Sequence, residues 1–134
     1  MRLHDAGILN IISRDPHDAL LDAKTNLESL IAQWNPEILG IEKVYISRNQ
    51  KTGVGVLEAR GVMVATARAH HMTIREYTPS EMKAGITGYG GADKKAVLKM
   101  VRIILREPEL RVIDDASDAI ALAILAAGDL ANRV

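Results

Sequence analysis

Four consecutive apolar residues, Ile38-Leu39-Gly40-Ile41, stand between two long segments whose apolar residues recur at helical spacing. A run this short and uninterrupted suits a strand buried on both faces, as in a parallel sheet. Before it, Leu20, Ala23, Leu27, Leu30, Ile31 and Trp34 follow a helical period across residues 17–35. Ser13 or Asp15 is placed to cap that helix, Pro16 suits its first turn, and Asn35-Pro36 ends it. After the run, which extends as a strand to Tyr45, residues 56–70 read as a second helix. Gly61 inside it points to close packing on another element. Residues 72–77 alternate as a strand, and Thr78-Pro79-Ser80-Glu81 opens a short helix. The glycines at 85, 88, 90 and 91 mark a loop, and residues 92–105 form an amphipathic helix ended by Glu107-Pro108-Glu109. The last helix spans about 113–130, and near the chain start Gly7-Ile8-Leu9-Asn10-Ile11-Ile12 reads as one more strand. Strands alternating with helices predict an α/β fold with some parallel sheet, as one domain over residues 1–134.

The core this pattern encloses must be aliphatic, because the chain has three Tyr, one Trp and no Phe. Without cysteine, a disulfide framework and a thiolate zinc site are both excluded. Seventeen basic and seventeen acidic residues cancel, so net charge alone does not argue for a polyanionic partner. The basic residues are uneven, however: Lys83, Lys94, Lys95, Lys99, Arg102 and Arg106 crowd one stretch. No apolar run is long enough for a membrane span and no export signal is visible, so a soluble cytoplasmic protein is expected.

Chemistry concentrates at Asp114-Asp115-Ala116-Ser117-Asp118, which opens the last helix, and at Glu42, which closes the first strand. On a helix, Asp115 and Asp118 share a face, as do Asp114 and Asp118. Carboxylates from a strand end and a helix start form a plausible cage for Mg2+, which takes oxygen ligands and retains water. Two such ions can bind the attacking and leaving oxygens of a phosphoryl displacement. A second reading stays open: acids at a helix start cap free N–H groups and offset the macrodipole, by about 0.3–1 kcal/mol each. Equally, Lys94, Lys95 and Lys99 are readable as a solvated helix face and Tyr45 as an ordinary sheet residue.

Five local patterns in order then narrow the field. Ile41-Glu42-Lys43-Val44-Tyr45-Ile46-Ser47-Arg48-Asn49 resembles the second acidic motif of the RuvC family of bacterial Holliday-junction resolvases, the crossover junction endodeoxyribonucleases. Glu58-Ala59-Arg60-Gly61-Val62, Tyr77-Thr78-Pro79-Ser80-Glu81-Met82-Lys83 and Gly88-Tyr89-Gly90-Gly91-Ala92-Asp93-Lys94 resemble its next three segments. Asp114-Asp115-Ala116-Ser117-Asp118-Ala119-Ile120-Ala121 resembles its final acidic motif.

The resemblance implies a ribonuclease H-like fold, a mixed sheet flanked by helices. It implies a homodimer that resolves Holliday junctions in recombination and repair by hydrolysing phosphodiesters with Mg2+ or Mn2+. By position, Glu42, Asp115 and Asp118 are then the catalytic metal-binding acids, and Lys94 is catalytic. Lys83, Lys94, Arg48 and Asn49 contact DNA, and Tyr45 stacks at the junction centre. Four-way junction DNA is the implied substrate, and a branch-migration helicase complex (RuvA, RuvB) is left open as a partner. The family begins with a strand bearing Gly-Ile-Asp-Pro-Gly, whose Asp is its first acid; that segment is absent from this sequence. The expectation is therefore an N-terminally shortened fold missing its first strands, with impaired cutting. A start at a downstream Met, a natural short relative and a sheet repaired by strand exchange are its three open explanations. A non-catalytic junction-binding module or an incomplete fragment is the alternative function.

Overall fold

Asp15 begins the first helix, α1 (Pro16–Trp34), by accepting hydrogen bonds from the N–H groups of His17 and Asp18 at 2.9 and 3.0 Å. Proline at the first helical position has no N–H to satisfy there. At the other end Asn35 turns left-handed, at φ 44°, and returns its N–H to Ile31. The computed structural model describes residues 1–45 and 53–132. The elements that follow are β1 (Ile38–Glu42), α2 (Gly53–Ala69), β2 (Thr73–Tyr77), α3 (Pro79–Thr87), α4 (Lys94–Leu105) and α5 (Asp114–Ala131). Among the described residues no helix is long and apolar enough to cross a membrane.

The two strands form one sheet. The N–H of Thr73 donates to Glu37 O at 2.9 Å and that of Lys43 to Tyr77 O at 2.8 Å. Partners therefore advance together along both strands, which makes the pair parallel, with α2 in the connection.

The chain packs as two compact units. In one, residues 9–39 and 44–74, α1 lies against α2 around Leu27, Ile31, Ala67 and Met72. The strand expected at residues 7–12 is absent. Asp22 on α1 accepts from the N–H of Ile12 and Ser13, and the amide of Asn26 donates to Asn10 O at 2.7 Å. Side chains of α1 thus occupy backbone groups that a ladder would need. The Ser13 N–H holds the Asp22 carboxyl below the usual carboxylate range. The close approach expected at Gly61 is also absent, since a Cβ there would meet nothing within 4 Å.

The other unit, residues 1–8, 40–43 and 75–134, is built on α3, α4 and α5. Val97, Val101 and Leu105 recur one helical turn apart on α4 and bury its apolar face. They meet Met82 and Ile86 of α3 and Ile120, Ala121 and Ile124 of α5, giving the aliphatic core that the composition requires. α3 starts on a reciprocal cap: Thr78 Oγ1 accepts from the N–H of Glu81, and Glu81 accepts from that of Thr78. It continues past Gly85 to Thr87, so the glycine loop is shorter than expected. Gly85 faces Leu125, and of the four glycines at 85, 88, 90 and 91 Gly88 alone, at φ 82°, uses the left-handed region. Arg102 closes the segment after α4 by donating twice to Leu110 O, at 2.8 and 3.0 Å.

β2 is tied to the far end of α5, where the Tyr77 hydroxyl donates to Asp129 Oδ2 at 2.5 Å. Burial, then this bond and the carboxylate charge, push the phenol up to about 12. The folded pKa exceeds the unfolded one, so the stability it contributes is present below about pH 10 and is lost as pH rises through about 12. In an alkaline titration followed by phenolate absorbance, one of the three tyrosines is expected to ionise near 12, and Asp129→Asn to bring it down.

Candidate active site

Parallel sheets present ligands at the carboxyl ends of their strands. In this chain Glu42 is the last residue of β1, and Thr78 directly follows β2. Between them and the starts of α4 and α5 opens a cleft of about 140 Å3. Its polar walls carry Glu42, Lys83, Lys94, Thr78 and Asp118, and its floor is Pro79, Met82, Val97 and Leu122. That volume admits a hydrated ion or a single phosphate group, not a nucleoside. Two carboxylates and two ammonium groups on one small cleft fit a cation and an anion bound side by side.

Each side chain arrives from a different element. The β1 run delivers Glu42, the reciprocally capped α3 carries Lys83, Lys94 is the first residue of α4, and Asp118 lies in the second turn of α5. Gly40 makes the approach of β1 to α5 possible, since a Cβ there would lie 2.8 Å from the Leu122 carbonyl oxygen. The start of α4 is fixed by Asp93, whose carboxylate accepts from the N–H of Ala96 at 2.8 Å.

A second, shallower cleft shares Lys94 and Asp118 with the first and adds Asp114, Ser117 and Lys95. Here Lys94 Nζ donates to Asp114 Oδ2 at 3.2 Å. Asp114 chiefly, with Asp118 and Asp115 adding, holds the Lys94 ammonium above the usual lysine range. Capping does not occupy these acids: the residue before α5 is Ile113, with no side-chain cap bond.

Of the residues singled out in the sequence, Glu42, Asp118, Lys83 and Lys94 come together on one cleft. Asp115 is exposed and lines neither cleft, reaching the site only through its field on Lys94. Among the described residues no three His, Cys, Asp or Glu side chains gather as a metal-holding group. Tyr45 is 66% exposed, while Arg48 and Asn49 lie outside the described residues. Asp114 was the neighbour of a motif acid in the sequence pattern, yet it makes the direct contact to Lys94. Twenty residues separate the two, so no local spacing signals the pair.

A family model described as crossover junction endodeoxyribonuclease RuvC matches residues 1–126. The chain belongs to the RuvC family. It is 42% identical over 105 residues to a RuvC of Caldicellulosiruptor saccharolyticus, covering 78% of this chain and 63% of that protein. It is 38% identical over 125 residues to a RuvC of Roseiflexus sp., covering 92% of this chain and 74% of that one. The chain thus spans about two thirds of the length of these RuvC relatives. Among solved structures, Thermus thermophilus RuvC superposes with a TM-score of 0.79 at 23% identity, over 90% of this chain and 74% of that one. T. thermophilus RuvC in complex with Holliday junction substrate superposes with a TM-score of 0.83 at 19% identity, over 98% and 80%. The fold is accordingly the ribonuclease H-like α/β fold of RuvC, with β1 and β2 as its sheet among the described residues.

Proposed function

We propose that this chain carries the hydrolytic centre of a structure-selective endonuclease that resolves four-way DNA junctions in recombination and repair. The observation that carries this reading is the meeting of Glu42, Asp118, Lys83 and Lys94 on one cleft at the strand ends. The donor set fits Mg2+ or Mn2+: all oxygen, open to water, and sized for an ion that keeps part of its hydration shell. Glu42 and Asp118 would hold the metal, and Asp115 would join them as third acid from the same end of α5. When bound, the metal supplies charge stabilisation at the phosphoryl group and a more acidic water.

The protein's own groups do the rest. Lys83 and Lys94 bring mobile point charges to the scissile phosphate and offset the repulsion that Glu42 and Asp118 exert on it. Tyr45 offers an exposed ring for an unpaired base, and the family resemblance assigns Arg48 and Asn49 to DNA contact. A homodimer would place two such centres on one junction, in the cytoplasm, with a RuvA–RuvB helicase complex as a further partner. The second reading, a junction-binding module that does not cut, draws support from the absence of a gathered three-acid group among the described residues.

Incubation of the protein with a labelled four-way junction and with a linear duplex of equal length, with Mg2+ or Mn2+, separates these readings. Paired nicks in the junction alone are expected. Junction-selective binding without nicks at any metal concentration would favour the second reading, and equal binding to both DNAs would sink both.

A further inference from the structure

We propose that Asp114 is a positioning residue that holds the Lys94 ammonium in the free protein and competes for it with DNA phosphate. The inference rests on the reading of the cleft as a DNA-cutting site and goes beyond it, because Asp114 belongs to none of the roles assigned there. Lys94 is the first residue of α4 and Asp114 the first of α5, so the two helix starts face each other across the pair. Lys94 Nζ lies 3.2 Å from Asp114 Oδ2. Lys94 also walls the cleft that holds Glu42 and Asp118, whereas Asp114 lines only the neighbouring one. One lysine thus has two anionic destinations: Asp114 on one side, and on the other a phosphate seated beside Glu42 and Asp118.

The contact is built for exchange. The side chains of Lys94 and Asp114 are 66% and 72% exposed, so neither loses a buried partner when the bond opens. An exposed ion pair of this kind is weak and screened by salt. Asp114 is also not committed to the helix, since no side chain caps α5. Asp115, beside it in the same turn, offsets the same helix dipole and has no hydrogen bond to Lys94, so the dipole does not account for the pairing. When no phosphate is present, Asp114 keeps the ammonium from collapsing onto Asp118 and closing the cleft. When DNA arrives, the ammonium transfers to the phosphate.

The test is metal-free binding of a four-way junction at low salt, for wild type, Asp114→Asn, Asp114→Glu, Lys94→Gln and the double variant Asp114→Asn with Lys94→Gln. Thermal melts followed by circular dichroism check that each is folded. Asp114→Asn is expected to tighten binding by about two- to fivefold, the size of a released exposed pair. Asp114→Glu is expected to bind as wild type does. In the Lys94→Gln background the gain is expected to vanish, because the carboxylate acts through Lys94. An unchanged affinity in Asp114→Asn, or an equal gain with Lys94 removed, would overturn the proposal while leaving the nuclease reading intact. If junction and linear duplex bind equally but the Lys94-dependent gain persists, the junction-resolving reading falls and the role of Asp114 stands. A wild type that binds no DNA would overturn both.

Discussion

Asp118→Asn is expected to lower metal-dependent nicking of a four-way junction by about 100-fold or more, with little change in stability. The size follows from what is removed. Asp118 and Glu42 are the two carboxylates on the cleft, and the substitution takes half of its anionic charge while keeping the side-chain shape. Loss of one group that stabilises charge in the transition state commonly lowers kcat by about 10²–10³-fold. Asp118 is only half-buried and the described bonds of α5 do not depend on its carboxylate, so the melting temperature should move by no more than about 2 °C. The measurement is single-turnover cutting with Mg2+ or Mn2+ in excess, beside a binding titration of the same DNA without metal. Metal-free binding should hold or tighten, since a repulsive charge has left the cleft. Retained cutting would remove Asp118 from the metal set and, with it, the main support for the nuclease reading.

On the cleft, Glu42 and Asp118 were legible from local pattern, whereas Lys83 and Lys94 were assigned by the family resemblance alone. Glu42 and Asp118 sit at element ends, and ends are marked locally: by the apolar run that stops at Ile41, and by the helical period that starts after Asp114. Caps are local as well, so Asp15 before Pro16 and Thr78 with Glu81 could be read directly. The failures involve tertiary partners. Residues 7–12 have strand-like composition, but Asp22 and Asn26, on the next helix, take their backbone groups. A glycine within a pattern signals a close approach without saying where. Gly61 turned out to face open space, while Gly40 and Gly85 meet α5. The Lys94–Asp114 pair joins the starts of two different helices and has no signature in either. Helical spacing allowed Asp118 to be grouped with Asp114 or with Asp115. Lys94, arriving from another element, decides that Asp114 is the acid in contact with it.

Gly40 carries the second large effect, and there the fold and the site are the same question. A Cβ at this position would lie 2.8 Å from the carbonyl oxygen of Leu122, 3.2 Å from its carbonyl carbon and 3.1 Å from the Cβ of Ala126. These are backbone and short side-chain atoms of α5, which no rotamer change can move aside. Gly40→Ala must therefore push β1 and α5 apart, an overpacking cost of about 1–3 kcal/mol. Gly40→Val, with two more methyl groups in the same gap, should reach the upper end of that range or exceed it. Gly61→Ala is the contrasting substitution: its Cβ meets nothing within 4 Å inside α2, so it should stabilise by about 0.4–1 kcal/mol. Urea denaturation of the three variants measures both signs. Because Glu42 follows two residues after Gly40 and Asp118 lies one turn before Leu122, the same displacement widens the gap between the cleft's carboxylates. Gly40→Ala should then lose cutting activity well beyond its unfolded fraction, measured where urea curves show it folded. Activity that merely tracks the folded population would mean that the contact supports the fold without setting the spacing of Glu42 and Asp118.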